Sequence, residues 1–355
     1  EHSLTMMLRY PCLHASWWQR SVQVPAGWKG RRIFLHLGGV KPAASLWVNG
    51  RAFGDTVTSR SPVRCDVTSA IRFGKSNTIT LRLFWPEVRL DGLWDCLSAW
   101  SGIYRHAWLE AVSPAHITNI HAMPSLSPRA VRINVDVRAT RVDLRRLRVV
   151  AEVKPANAAA TGRGWRADAS LRRQGGLLTA SLALPMPGAA PWDLQSPALY
   201  RATIRLLDGH RPLDTASVRF GLREIHVAGT RLLLNGMPVF LRGACDDQIY
   251  PDTVCPPADT DFFRRRLRLA KRYGYNYTKS CIEIFTPEYL DAADEAGWLV
   301  CEEMPFGLVD PFRALRYAPP AAFRSLWRQT AQDIVAGDRN HPAVILYSMA
   351  SEFGE

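Results

Sequence analysis

The feature that most constrains this chain is a change of rhythm two-thirds of the way along. Before it, apolar residues recur at every second position in short runs. Ile33, Leu35 and Leu37 alternate with Phe34 and His36, and Ile79, Leu81 and Leu83 with Thr80 and Arg82. Val131, Ile133, Val135 and Val137 alternate with Arg132, Asn134, Asp136 and Arg138. A period of two is that of a half-buried strand, and turn residues such as Asn49-Gly50, Gly74 and Asp208-Gly209 separate the runs. Short strands at this spacing predict β-sandwiches. Breaks near Ser113-Pro114 and from Gly221 to Gly229 divide the pattern, and the small residues from Ala156 to Gly164 read as a long hairpin loop.

After the second break, strands and helices take turns. Val239–Gly243, Tyr275–Lys279, Trp298–Glu303 and Ala343–Met349 read as strands. Between the first two, Phe262, Phe263, Leu267, Ala270 and Tyr273 lie at helical spacing and Gly274 stops the helix. Thr286 caps the next helix, Pro287 occupies its first turn, and Gly297 follows its last residue, Ala296. A third helix carries Phe323, Leu326, Trp327, Thr330, Ala331 and Ile334 and is expected to end at Gly337. Such alternation predicts a parallel sheet with right-handed crossovers, either doubly wound or a barrel. At 355 residues, 47% of them hydrophobic, the chain reads as soluble, globular and multi-domain. No run reaches the roughly 18 apolar residues of a membrane-spanning helix.

Charge and cysteine are weaker guides. Forty-five Lys and Arg against 32 Asp and Glu leave a net charge of +13, which suits an acidic partner. The arginines are scattered, however, and the densest cluster, Arg264 to Arg272, falls on an amphipathic helix where a solvated face is the expected use. No nucleic-acid motif accompanies it. The seven cysteines form no CxxC pair and no metal-ligand spacing. Cys301, after Val300, reads as a buried structural thiol, and a Cys245–Cys255 bridge has no support beyond proximity. No metal or other cofactor is called for. Residues 1–20 hold no signal-peptide core, and with Glu rather than Met at position 1 the compartment, cytoplasmic or exported, stays open.

The order of parts, with several local motifs, resembles glycoside hydrolase family 2, the β-galactosidase, β-glucuronidase and β-mannosidase group. Ser45-Leu46-Trp47-Val48-Asn49-Gly50 and Ser101-Gly102-Ile103-Tyr104-Arg105 with Ala107-Trp108-Leu109 resemble its sugar-binding domain. Trp192, Ser196-Pro197-Ala198-Leu199-Tyr200 and Phe220-Gly221-Leu222-Arg223 resemble the end of its immunoglobulin-like domain. Leu234-Asn235-Gly236-Met237-Pro238 to Arg242-Gly243, then Asp291 to Asp294 and Glu303-Met304-Pro305, resemble the first units of its barrel. Arg339-Asn340-His341-Pro342 leading to Ser348-Met349-Ala350-Ser351-Glu352 resembles its acid/base strand. The resemblance implies a jelly-roll-like sandwich over 1–113, an immunoglobulin-like sandwich over 114–222, and the first four βα units of a (β/α)8 TIM barrel over 223–355.

It also implies a retaining, exo-acting β-glycosidase that acts on a carbohydrate; a homo-oligomer of the full-length protein and no cofactor are expected. That chemistry takes two carboxyl groups about 5–5.5 Å apart, one as acid/base and one as nucleophile. Glu352 matches the acid/base, at the carboxyl end of a strand where barrels place catalytic groups. The nucleophile belongs to a seventh strand, so the chain is expected to be part of a longer protein. Ser351 stands where the family has Asn, and Lys279 where it has Arg, which keeps the charge but loses the planar fork. Those two departures sustain a rival reading, a non-catalytic carbohydrate-binding protein with a degenerate barrel. Asp246, Asp247 and Tyr250 after the first strand and Glu283 after the second are candidates for the sugar pocket. Glu302 and Glu303 point to opposite sides of their strand, and the family's Glu-x-Pro favours Glu303 for the interior. His341 reads as a packed turn residue. Trp94, Trp100 and Tyr104 are candidates for stacking on sugar, whereas Trp108 is expected in the sandwich core.

Overall fold

In the computed structural model of the chain, residues 15–41, 43–57, 62–84, 102–140, 143–175, 177–281, 283–305 and 321–349 are described. Trp94, Trp100, Ser351 and Glu352 lie outside them. The first sandwich packs a four-stranded antiparallel sheet, ordered Ala15–Gln23, Ser76–Phe84, Ala43–Val48, Arg51–Val57, on a three-stranded one, Val63–Asp66, Arg32–Leu37, Ala107–Val112. Ile33, Leu35 and Leu37 meet Leu46, Val48, Leu81 and Leu83 between the sheets. Asn49 (φ 51°) and Gly50 (φ 82°) form the two-residue turn joining Ala43–Val48 to Arg51–Val57. Positive φ at both positions is what a tightly twisted hairpin requires. Trp108 departs from expectation. It lies on the outer face, 47% exposed, stacked on the His36 ring at 4.6 Å.

In the second sandwich the sheet Ala115–Leu126, Arg129–Ala139, Leu177–Pro185, Arg172–Gln174 faces the sheet Trp165–Ser170, Leu147–Pro155, Tyr200–Asp208, Arg211–Phe220. Val131, Ile133, Val135 and Val137 are all buried in its core, while Arg132 and Arg138 on the alternate positions are exposed. The residues from 156 to 164 link Leu147–Pro155 to its antiparallel partner Trp165–Ser170, as a hairpin loop does.

A small antiparallel sheet, Ile225–Ala228, Arg231–Leu234 and Met237–Pro238, precedes the parallel one. The parallel strands are β1 (Gly243–Asp246), β2 (Tyr277–Ser280), β3 (Leu299–Glu303) and β4 (Val344–Ser348), in that spatial order. Helices α1 (Thr260–Arg272), α2 (Pro287–Ala296) and α3 (Ala321–Asp338) connect them. The first strand therefore begins where the sequence pattern ends it. The reason is Asn276, whose side-chain amide donates to Phe240 O (3.0 Å) and accepts from Arg242 N (2.8 Å). The side chain thus takes two of the hydrogen bonds that a strand over 239–243 would need, while Val239 N donates to Leu232 O in the small antiparallel sheet. Helix α1 is capped by Asp259, which accepts from Asp261 N, and α2 by Thr286, which accepts from Tyr289 N. Gly297 ends α2 at φ 62°, and a Cβ there would sit 2.7 Å from Leu194 O, so both conformation and space demand glycine. Gly337 does not end α3, which runs on to Asp338 before the chain turns.

The arginine-rich face of α1 is paired rather than merely solvated. Arg264 bridges Asp261 and Glu295 (2.6 Å each), Arg266 meets Asp246 (2.9 Å), and Lys271 donates to Leu194 O (2.7 Å) and Ala296 O (2.5 Å). Cys65, Cys245, Cys255, Cys281 and Cys301 are free thiols, so the Cys245–Cys255 bridge is absent.

The sandwich and the parallel sheet are locked together through the motif 339–342. Arg339 donates to Asn119 Oδ1 (2.8 Å), and the Asn340 amide donates to Ile120 O and accepts from Ala122 N, both at 2.9 Å. Arg223 reaches back to Pro342 O (2.9 Å) and Val344 O (2.5 Å). Gly221 admits the close approach, since a Cβ there would meet Trp192 at 2.7 Å and Pro342 at 3.0 Å. Trp192 is fully buried and donates from Nε1 to Asp294 O (2.8 Å). The Asp294 carboxylate in turn receives His341 Nδ1 (2.7 Å) and Ala343 N (3.1 Å).

Although burial works against it, the carboxylates of Asp294, Asp338 and Asp291 push the His341 pKa up to about 9. A folded pKa above the unfolded value means stability that is complete below about pH 6.5 and is lost as pH rises through 9. Thermal unfolding of the protein should therefore move to lower temperature between pH 6.5 and 9.5. In His341→Gln the midpoint should start lower and fall less over that range.

Candidate active site at the carboxyl ends of the parallel strands

The parallel register decides which side chains share a face. Cys245 lies opposite Lys279, Lys279 opposite Cys301, and Glu303 opposite Ser348. With a period of two, Cys245, Tyr277, Lys279, Cys301 and Glu303 all sit on one side of the sheet. The other side carries Thr278, which accepts from Trp298 Nε1 (2.9 Å), and Glu302, and is covered by the helices.

Glu303 is 1% exposed and is held from three directions. Its carboxylate pairs closely with the Lys279 ammonium and accepts from Ser348 Oγ at 3.2 Å. Its backbone N–H donates to Ser280 Oγ at 2.7 Å. Burial opposes the charge on Lys279, but the hydrogen bond and the charge of Glu303 hold its pKa above the ordinary lysine value. Three adjacent strands thus deliver a fixed carboxylate, an ammonium and a hydroxyl to their carboxyl ends.

Glu302 faces the opposite way and is fully buried, with Oε2 accepting from Phe285 N at 3.1 Å. Burial, and the charge of Asp338 behind it, raise its pKa well above the usual carboxylate range, and burial pushes Asp338 up to about 6.

The other sequence candidates separate. Asp246 points to the helix side, where Arg266 neutralises it and Gln248 N donates to its Oδ1 (2.9 Å). Tyr250 is buried against Phe262 and Phe263 and belongs to the core. Asp247 is exposed next to Cys245 and Cys281. Glu283 meets Lys41 of the first sandwich at 3.7 Å, both side chains being largely buried. His341 lies at the opposite, amino end of β4. Tyr104 is half-buried, and Gly39 packs so tightly on its ring that a Cβ there would lie 2.5 Å away.

Sequence reasoning missed Lys41 and the pairing of Cys245 with Cys281. Arg105 was visible only as part of a motif. Its role is to donate from Nη2 to Phe285 O (3.1 Å), so the first sandwich grips the loop after β2. A lysine in an apolar strand beside Gly38-Gly39 was the available signal for Lys41.

Three family models match in succession. The sugar-binding domain of glycosyl hydrolases family 2 matches residues 11–112, the family 2 domain model residues 115–223, and the family 2 TIM-barrel domain residues 225–355. The chain belongs to glycosyl hydrolase family 2.

Among curated relatives, a β-galactosidase of Thermoanaerobacter pseudethanolicus is 22% identical over 342 residues, 94% of this chain and 44% of the relative. A β-galactosidase of Yersinia pestis is 26% identical over 346 residues, 93% of this chain and 32% of the relative. The chain thus spans less than half the length of these two relatives. Among solved structures, a β-glucuronidase from Ruminococcus gnavus superposes with a TM-score of 0.78 at 19% identity, over 94% of this chain and 57% of that one. A family 2 member from Bacteroides cellulosilyticus gives 0.75 at 23% identity, over 96% and 45%. These likenesses establish the fold: two sandwiches and part of a TIM barrel.

The raised pKa of Glu302 carries a stability consequence. From about pH 4.5 upward the unfolded chain releases this proton while the folded chain retains it, so folding loses stability as pH rises. Glu302→Gln keeps the acceptor for Phe285 N without the titration. It should unfold at a higher temperature than the wild type at pH 8, with the gap narrowing towards pH 5. A gap independent of pH would contradict this account.

Proposed function

We propose that the complete protein hydrolyses O-glycosidic bonds of β-glycosides as a retaining, exo-acting enzyme, with Glu352 as acid/base. What carries the reading is the family barrel model, which matches residues 225–355 and so runs through Ser351 and Glu352 immediately beyond β4. The relatives' names, β-galactosidase and β-glucuronidase, are those of hydrolases, which favours turnover over sugar binding alone.

In this mechanism the Glu352 carboxyl protonates the departing glycosidic oxygen while a second carboxylate attacks the anomeric carbon. Glu352, then ionised, takes a proton from water, and the resulting attack on the glycosyl-enzyme releases the sugar with its configuration retained. The nucleophile is supplied from outside residues 1–355, consistent with coverage of only 44% and 32% of the relatives. Lys279, Glu303 and Ser348 lie at the same strand ends and are assigned to the sugar-facing wall, with Ser351, Asp247 and Glu283 around it. Lys279 presents a compact ammonium whose three N–H donors rotate freely, rather than the fixed planar fork of an arginine. Asp246, engaged with Arg266 on the helix side, supports the strand end rather than the sugar.

The test is hydrolysis of aryl β-galactoside and aryl β-glucuronide by the complete protein. Glu352→Gln should lower turnover by roughly 10²–10⁴-fold on a substrate with a poor leaving group, and less on one whose leaving group needs no proton. The first-formed sugar should be the β-anomer by NMR. Wild-type rates in Glu352→Gln, or an α-anomer as first product, would overturn the assignment.

A further inference from the structure

The side of the parallel sheet that carries Lys279 and Glu303 also holds a group of side chains with metal-ligating chemistry. Cys245 is the third residue of β1, Asp247 follows that strand, and Cys281 follows β2. The register sets Cys245 opposite Lys279 and Asp246 opposite Ser280, so Cys281 and Asp247 come next to each other just past the strand ends. Cys281 N–H donates to Asp246 O (3.1 Å), which extends the pairing by one step and fixes the spacing of the two chains. The two Sγ atoms and a carboxylate oxygen of Asp247 all lie within 4.8 Å of one another. Within residues 1–355, Cys245 and Asp247 are exposed and Cys281 is half-buried.

Three potential anions crowded together oppose their own ionisation. A divalent cation removes that penalty, because it binds the deprotonated forms and releases their protons. Ligand atoms on a tetrahedral zinc ion, with Zn–S near 2.3 Å and Zn–O near 2.0–2.2 Å, lie roughly 3.5–3.8 Å apart.

A second cluster in the molecule shows what an occupied arrangement looks like. Asp291, Asp294 and His341 are just as close, but the Arg219 guanidinium already sits 2.6 Å from Asp291 and 3.6 Å from Asp294. At the thiol cluster the nearby cation, Lys279, is paired with Glu303.

We propose that Cys245, Asp247 and Cys281 bind a zinc-class divalent cation through two thiolates and one carboxylate, with the fourth position open to solvent. Two thiols and a single carboxylate select a borderline-soft ion over magnesium or calcium, which take oxygen ligands. The proposal does not depend on the glycosidase reading.

The test is anaerobic titration of the reduced complete protein with Co²⁺, followed by competition with Zn²⁺. Binding should produce sulfur-to-cobalt charge-transfer absorption with tetrahedral d–d bands, release protons, and be reversed by Zn²⁺. Cys245→Ser should lower affinity at least tenfold and reduce the charge-transfer intensity by about half. Asp247→Asn should weaken binding while keeping the thiolate bands, and Cys65→Ser should change nothing. Absence of a thiolate band in the wild type, or bands unchanged in Cys245→Ser, would overturn the proposal. Because Cys245→Ser and Asp247→Asn are both near-isosteric changes, the result does not rest on Cys281→Ser folding.

Discussion

The fully buried carboxylate of Asp294 is the interaction on which the arrangement of this chain depends. It accepts from His341 and from the backbone of Ala343 at the entry to β4, while the carbonyl of the same residue accepts from Trp192 of the second sandwich. A charge taken out of water is tolerated only with several partners around it, and here His341 and Ala343 donate from beside β4 while the Arg219 guanidinium of the second sandwich lies 3.6 Å away. Satisfying one carboxylate therefore sets helix α2, the last strand and the sandwich in a single geometry. Arg223 repeats the device from the other direction by donating to the carbonyls of Pro342 and Val344. The position of β4, which leads to Glu352, follows from these two buried polar groups more than from the sheet's own hydrogen bonds.

The mouth of the parallel sheet is shaped by alternation. Two adjacent glutamates on β3 meet opposite fates because successive side chains leave a strand on opposite faces. Glu303 finds Lys279 and Ser348. Glu302 accepts from the Phe285 N–H and lies near the Asp338 carboxyl, and burial favours its neutral form. The first sandwich takes part as well. Lys41 reaches Glu283 and Arg105 reaches the Phe285 carbonyl, so a domain more than a hundred residues away in sequence clamps the loop between β2 and α2. The sandwiches are thus structural walls of the site as well as separate folding units.

Much of this was legible in local pattern. Alternation at Val131 to Val137 specified a half-buried strand because only that face could be covered, and Thr286, Pro287 and Gly297 specified both ends of α2 because each residue type answers one need of a helix terminus. Local pattern failed where a distant side chain overrode it. Val239 to Gly243 is apolar enough for a strand, yet Asn276 takes two of its backbone hydrogen bonds and moves the strand to Gly243–Asp246. Trp108 was expected inside, but its strand register turns it outward onto His36. Asp246 and Asp247 looked equivalent as neighbours, and only the packing of α1, which brings Arg266 to one of them, separates their roles.

By itself, the sequence determined the class of each element, the order of two sandwiches and alternating βα units, and the family, because periodicity, caps and turn residues act over a few positions and survive in the linear pattern. Tertiary structure decided which charges are paired, which glutamate faces the interior, and that cysteines 36 positions apart with no metal-binding spacing lie side by side. Those outcomes depend on strand register and on contacts between domains, and no local stretch of sequence contains both partners.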